Sequence, residues 1–485
     1  MTNYDRRRFI QLMGTAGAAT LANAAGGPPP NIIYIMADDH AAHAISAYGS
    51  KINKTPNIDR LAKGGMRLAN CFCTNSICTP SRAAILTGQY SHKNGVYTLQ
   101  DSIDGTRDNV AKELKKAGYQ TAMVGKWHLQ TDPTGFDYWN ILPGQGAYYD
   151  PVFIEAGQRK KHQGYCTDLI ADFSLNWLKQ RDKTKPFFLM CHHKAPHRPW
   201  QPAPKYKEAF KDQTIPEPDN LLDHYEGRAG SVAAVKMKVG EDNSLEDLKV
   251  PKPAGLEGDA LRKWAYQYYI KDYLRCVQSV DDNVGRVLDY LDAEGLAGNT
   301  IVIYTSDQGF FLGDHGFFDK RLMYEESLRM PFLVRYPGSI RAGSVTDDII
   351  LNVDFAPTFL DYAGSKAPAA MQGKSFRQNL EGRTPKSWRT AMYYRYWMHN
   401  SNDHHVPAHY GVRTKKYKLI YYYGKPLGMK GAQEPPSKPE WELFDVEKDP
   451  REMKNIYNDP AYKSVVDQLK TQLHKLQQEL GDTPA

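Results

Sequence analysis

Four short apolar runs, each finishing in side chains that can bind a ligand, constrain this chain more than any other feature of its sequence. Asn31-Ile32-Ile33-Tyr34-Ile35-Met36-Ala37 leads into Asp38-Asp39-His40. Tyr119-Gln120-Thr121-Ala122-Met123-Val124-Gly125 leads into Lys126-Trp127-His128. Phe187 to Cys191 leads into His192-His193-Lys194-Ala195-Pro196-His197, and Thr300 to Thr305 into Ser306-Asp307-Gln308-Gly309. Such runs read as strands buried on both faces, as in parallel sheets. Helical spacings lie between them, at Thr55 to Ala62, Ser81 to Leu86, Val110 to Ala117, Leu169 to Leu178, Leu261 to Leu291 and Asp354 to Tyr362. The alternation predicts an α/β fold, a large mainly parallel sheet sandwiched by helices. Ligands in such sheets bind beyond the carboxyl ends of the strands. One shared site along that edge accounts for all four polar endings.

Residues 198 to about 258 are rich in Pro, Lys and Asp and read as a surface excursion with short helices. Composition shifts near Gly382 to Ser387. Beyond it, Ala391 to Trp397, Gly411 to Arg413, Lys418 to Tyr423 and Trp441 to Phe444 look like short antiparallel strands, and Val465 to Leu480 like an amphipathic helix. The expected organisation is an α/β domain over 27–385 and a smaller C-terminal α+β subdomain over 386–485. Residues 1–26 read as a twin-arginine-type signal peptide: Arg6-Arg7-Arg8-Phe9-Ile10, then an Ala/Gly-rich run too short to span a bilayer. The expectation is export through the twin-arginine machinery to the periplasm, with secretion or attachment at the cell surface as variants. No other stretch reads as a membrane span. A net charge of +7 suits an anionic substrate but is too diffuse for nucleic acid. Six cysteines in 485 residues permit disulfides without making a disulfide scaffold.

Cys78-Thr79-Pro80-Ser81-Arg82 stands where a loop becomes a helix, with Pro80 expected at the first helical position and Gly88 at the end. Cys78 then sits where the helix dipole favours negative charge, and Arg82 lies one turn on, on the same side. Asp38, Asp39, Asp307 and Gln308 offer hard oxygen donors, suited to Ca2+ or Mg2+ rather than zinc. A lone Asp-Asp pair is more often a solvated turn, and Asp281-Asp282, inside a helical pattern, reads as surface. Lys126 and His128 are two apart, so on an extended chain they face one way. With His197 and Lys320 they supply positive charge and proton transfer. Asp314, His315, His40, His192 and His193 are weaker candidates.

Together these residues resemble the formylglycine-dependent (type I) sulfatases of the alkaline phosphatase superfamily, notably bacterial polysaccharide sulfatases. The likeness covers about residues 30 to 480. It rests on Cys78-x-Pro80-Ser81-Arg82 with Ala83 to Gly88, Gly125-Lys126-Trp127-His128, Ala195-Pro196-His197-x-Pro199, Ser306-Asp307-Gln308-Gly309 and Lys320 followed by Tyr324-Glu325. The resemblance implies that a maturation enzyme oxidises Cys78 to formylglycine (3-oxoalanine), which works as a hydrate. A serine would be left as a stable sulfate ester. A geminal diol attacks with one oxygen and expels sulfate with the other. It further implies Asp38, Asp39, Cys78, Asp307 and Gln308 as cation ligands, Arg82 and Lys126 orienting the diol, and Lys126 and Lys320 neutralising sulfate. By the same analogy His197, with Lys320, protonates the leaving alcohol, and His128 takes the diol proton in the release step. Gln308 departs from the pattern, where Asn or His is usual. Arg395, His404, His405 and His409 are candidate contacts to a sugar, if the smaller domain folds over the site. Export and this aromatic, basic rim favour a sulfated carbohydrate, algal or glycosaminoglycan-like. A phosphonate monoester or phosphodiester hydrolase and a non-catalytic glycan-binding relative are the alternatives.

Overall fold

The structure is a computed structural model and describes residues 27–485, so the expected leader lies outside the described residues. A ten-stranded sheet forms its centre, in the order Ser344–Thr346, Met66–Leu68, Phe332–Arg335, Thr300–Ser306, Asn31–Ala37, Phe187–His193, Gln120–Lys126, Tyr138–Leu142, Val152–Glu155, Gln158–Lys161. The five middle strands, Thr300–Ser306 to Tyr138–Leu142, run parallel. Beyond them, Phe332–Arg335 and the hairpin Val152–Glu155/Gln158–Lys161 pair antiparallel. The sheet is therefore parallel where it is most buried and mixed at its edges.

Pleating explains the two cores. Side chains alternate along a strand. Ile32, Tyr34 and Met36 join one cluster with the helices Cys78–Thr87, Val110–Lys116 and Phe355–Tyr362. Ile33, Ile35 and Ala37 join another with Pro56–Gly64, Cys166–Gln180 and the long helix Gly258–Ala293.

A four-stranded antiparallel sheet follows, Ala391–Tyr396, His409–Thr414, Tyr417–Tyr422 and Glu440–Asp445, with the helix Lys463–Leu480 against it. Its apolar face continues the first cluster through Val412, Leu419, Leu443 and Leu473. A buried charge network also crosses this junction. Glu325 lies 3.1 Å from Arg413 and 2.9 Å from Lys418, and Lys418 lies 2.6 Å from Glu452.

Three local expectations need correction. Asp281 is buried, not surface: it accepts from the amides of Asn57 (3.1 Å) and Ile58 (2.8 Å), capping the helix Pro56–Gly64. Adjacent helical residues point about 100° apart, so Asp281 and Asp282 never shared one environment. The 198–258 segment is not wholly superficial, because Trp200, Val232, Val235, Met237 and Val239 are buried. Irregular backbone hides burial from any periodic test. Pro80 stands third in its helix, which begins at Cys78.

Candidate active site

Strand register levels the four polar endings. Ala37 pairs with both His193 and Ser306, and Gly125 with His192. The residues just beyond therefore emerge side by side. Two glycines allow this packing. A Cβ on Gly125 would lie 2.0 Å from the His192 carbonyl, and one on Gly309 would lie 2.1 Å from the Glu326 carbonyl. Asp39, His128, Asp319 and Arg321 all hold positive φ, at 66°, 54°, 78° and 90°. Such backbone costs roughly 1–3 kcal/mol per residue and gathers at functional sites. The turn at His128 also replaces the extended chain expected after Lys126.

Facing these ends is the helix Cys78–Thr87, entered from extended Ile77 and closed by Gly88 in the left-handed region. Cys78 Sγ lies 3.5 Å from Asp38 Oδ1 and 3.8 Å from Gln308 Nε2. Burial, then the charge of Asp38, raises the Cys78 thiol far above its ordinary value. A thiolate nucleophile is not what this setting prepares.

Charges interlock around the thiol. Arg82 reaches Asp307 Oδ2 with Nε (3.0 Å) and Nη2 (2.9 Å), and Asp38 with Nη2 at 3.4 Å. Lys126 contacts Asp38 and Gln145. Lys320 Nζ lies 2.6 Å from Asp39, and His197 Nε2 lies 3.7 Å from the same oxygen. Burial alone would raise Asp38, but Lys126, His197, Arg82 and Lys320 pull it well below the carboxylate range. Asp39 is pushed up to about 6, by burial and by Asp38 and Asp319, against the pull of Lys320. Asp307 is pushed up to about 7, by burial and by Asp38, against Arg82. Burial, then the charge of Lys126, lowers His128 and His197 well below the ordinary imidazole value. Nδ1 of His197 donates to the Arg198 carbonyl at 2.6 Å, leaving Nε2 free toward the carboxylates.

A hard divalent cation fits this donor set. One oxygen each from Asp38, Asp39 and Asp307 lie within 4.8 Å of one another, and Gln308 Oε1 is buried with no hydrogen-bond partner among the described residues. The site's three carboxylates then gain compensation beyond the nearby lysines and arginine. The pH dependence follows from the two raised carboxyls. In the unfolded chain both titrate near about 4. The cation-free fold therefore has their full stability contribution below that value and loses it as pH rises through about 6 and 7. Cation binding needs both ionised, so it must release protons and tighten over the same window. Calorimetric Ca2+ titrations should show affinity rising on the order of 100-fold from about pH 5.5 to about pH 8. A pH-independent affinity would remove these carboxyls from the ligand set.

Above Cys78 is a cavity of about 320 Å3, lined by His197 and Lys320 together with Lys194, Arg198, Asp247, Arg321 and His404. Cys78, Arg82, Lys126, His128, His197, Lys320, Asp38, Asp39, Asp307 and Gln308 thus gather in one place. Of the four C-terminal candidates, His404 joins them and Arg395, His405 and His409 do not. His404 reaches the cavity wall and lies 3.0 Å from Asp319. Arg395 turns away to Asp482 (2.9 Å) and the Thr483 carbonyl (2.8 Å), its guanidinium 3.5 Å over Trp397. His409 is buried among the rings of Tyr394, Tyr396 and Tyr422. His405 is exposed at a turn.

Several wall residues escaped the sequence reading. Lys194, buried 4.8 Å over the Tyr148 ring, has its ammonium lowered to about 8 by burial and by Lys126. Arg198 forms a two-point pair with Asp247 at 3.0 and 2.6 Å. Asp319 joins Lys320, Arg321 and His404. Lys194, Arg198, Asp319 and Arg321 all adjoin motif residues in sequence, a signal that was available. The only signal at Asp247 was Ser244-x-x-Asp247, a capping box that closes here. All six cysteines are free and buried.

Comparison with known proteins places this geometry. The "Sulfatase" family model matches residues 30–365, and that of "N-sulphoglucosamine sulphohydrolase, C-terminal" matches residues 313–479. An N-acetylglucosamine-6-O-sulfatase of Bacteroides thetaiotaomicron is 43% identical over 93% of this chain and 87% of its own. A solved structure in complex with its substrate, D-glucosamine-2-N,6-O-disulfate, is also 43% identical. It superposes with a TM-score of 0.89 over 94% of this chain and 98% of that one. A phosphonate monoester hydrolase of Agrobacterium radiobacter, at 22% identity and a TM-score of 0.71 over 93% and 96% of the two chains, shares the fold.

Proposed function

The chain belongs to the sulfatase family, sulfuric ester hydrolases, and acts on carbohydrate; from there we propose that it removes the 6-O-sulfate of a terminal glucosamine-type residue. The agent is a formylglycine made from Cys78, with Ca2+ held by Asp38, Asp39, Asp307 and Gln308. One observation carries the reading: the thiol lies at a helix N-terminus beside that donor set, at the floor of a cavity of only about 320 Å3. That volume is at the small end of ligand clefts, roughly 300–1,000 Å3, and suits one sugar residue approached from a chain end. Both comparisons at 43% identity, with a protein named for 6-O-sulfate release and with a structure bound to a 6-O-sulfated glucosamine, support the choice of ester. The Arg6-Arg7-Arg8 leader supports export to the periplasm, which osmotic-shock fractionation would check.

Once formed, the formylglycine hydrate supplies two hydroxyls on one carbon, one to attack sulfur and one to expel sulfate. Once bound, the cation polarises a sulfate oxygen. The chain's own groups do the rest. Arg82 fixes Asp38 and Asp307 from one side, while Lys126 and Lys320 place positive charge where the sulfate oxygens gain negative charge. His197 and Lys320 face the same cavity and hold the proton that the leaving sugar oxygen needs. His128, close enough to feel the charges of Lys126, Arg82 and Asp38, is the group that accepts a proton when sulfate departs. Ester and water give alcohol, sulfate and one proton.

Leaving-group chemistry tests the role of His197. His197→Ala should lower turnover of 6-O-sulfated N-acetylglucosamine by about 10²–10⁴-fold. Aryl sulfates should suffer much less, because a phenolate leaves without a proton. Equal losses on both would deny His197 the acid role. In the unsubstituted enzyme, sulfate should be released from the 6-O ester in preference to 2-O and 3-O esters and phosphonate monoesters. Faster turnover of the phosphonate would favour the phosphonate hydrolase reading.

A further inference from the structure

A second and larger cavity, about 860 Å3, opens next to the catalytic one. Three loops separate them, and each lines both. Gln145 and Gly146 face the catalytic cavity and Tyr149 the second; Arg198 and Pro199 face the first, Gln201 and Pro202 the second; Asp247 faces the first, Leu248 and Lys249 the second. Successive Cα atoms are about 3.8 Å apart, so the wall at Asp247 and Leu248 is one backbone thick.

The chemistry of this groove is distinctive. Lys207, Lys211, Lys249, Lys271 and Arg275 line it, with Asp272 as its one acidic lining residue among the described residues. Asp272 is engaged by Lys249 and Arg275, each at 2.7 Å, and Lys211 leans on Glu208 at 3.0 Å. Lys271 donates to the Lys211 carbonyl, while the Lys207 ammonium makes no ion pair or hydrogen bond among the described residues. Positive charge is therefore in excess. Two aromatic rings stand exposed beside it. Tyr268 is 41% exposed and lies against Trp264 at 4.5 Å; Tyr149 is 37% exposed, its hydroxyl anchored on the Pro202 carbonyl. Rings held this way offer flat apolar platforms at little entropic cost, and sugar rings carry matching apolar faces. Cations between platforms match a chain bearing sulfates at intervals.

We propose that this groove binds the inner residues of a sulfated polysaccharide whose terminal residue occupies the catalytic cavity. The proposal rests on the sulfated-glycan reading of the site. It gives a protein with a one-residue pocket a means of preferring long chains, since the second contact becomes intramolecular once the first is made.

The test is a triple variant, Lys207→Ala/Lys211→Ala/Lys271→Ala, with Tyr268→Ala alone as a second. Both change exposed or half-exposed groups, and thermal melting checks the fold. The probes are a heparin-derived octasaccharide and the monosaccharide glucosamine-6-sulfate. The triple variant should raise KM for the octasaccharide about tenfold, with kcat/KM for the monosaccharide unchanged. The difference should fade in about 1 M salt, where the screening length is about 3 Å. Unchanged octasaccharide KM in both variants, or equal loss on both probes, overturns the groove. If neither probe is hydrolysed by the unsubstituted enzyme, the functional reading fails instead, and octasaccharide binding to the Cys78→Ala protein still decides the groove.

Discussion

Cys78→Ala abolishes sulfate-ester turnover, by on the order of 10⁴-fold or more, in a protein that folds normally. Stability changes little because the side chain makes only long contacts, 3.5 Å to Asp38 and 3.8 Å to Gln308. Losing one small buried group costs about 1 kcal/mol. Cys78→Ser separates the chemistry further. Serine supplies one hydroxyl, accepts one sulfate and has no second oxygen to expel it. It should therefore stop after a single turnover as a sulfated serine, visible in the mass of the peptide spanning residues 78–82. The same peptide from active enzyme should carry an aldehyde oxygen in place of sulfur. Full activity from protein whose Cys78 is wholly thiol would sink the mechanism.

Lys418→Met produces the largest expected loss of stability, about 3–5 kcal/mol. Lys418 is fully buried and is the ammonium shared by Glu325 and Glu452. Methionine fills the space but leaves Glu452 without its cation and Glu325 with Arg413 alone. In the parent protein Glu452 is already pushed up to about 7, by burial against Lys418 and by repulsion from Glu325. Its contribution to stability is full below about 4.3 and is lost as pH rises through about 7. Without Lys418, Glu452 rises further and Glu325 loses part of the pull that holds it low, so the variant's deficit should be greatest in alkali and shrink toward about pH 5. Thermal melts across that range check it. A deficit that does not vary with pH would mean that Lys418 acts by packing. Because this network joins the C-terminal sheet to the loop after Lys320, the damage should reach the catalytic cavity as well.

Much of the site was legible because strand ends obey a simple rule. Apolar runs bury, the chain leaves the sheet at their carboxyl ends, and Asp38, Lys126, His197 and Asp307 follow in each case. Orientation was less legible: Phe332–Arg335 reads as a strand from its residues, but nothing in them says that it pairs antiparallel. Asp281 was misread because a buried carboxylate capping another helix needs a partner 223 residues away, Ile58. Arg395 and His409 look like sugar-binding groups by type, yet their direction depends on which face of a four-stranded sheet turns inward. The wall around Arg198 and Asp247 comes from irregular chain, where no period separates buried from exposed.

Cys78 is only 1% exposed once the chain has folded. If Cys78 is oxidised as proposed, the enzyme that does so would need the Cys78 segment drawn out of the fold that buries it. Maturation and folding are then competitors for the same stretch of chain. On that proposal, molecules that fold first would be sealed with an inert thiol until they unfolded. The active fraction of a preparation would then be decided during synthesis, recording the relative speed of two early events rather than the purity of the final sample.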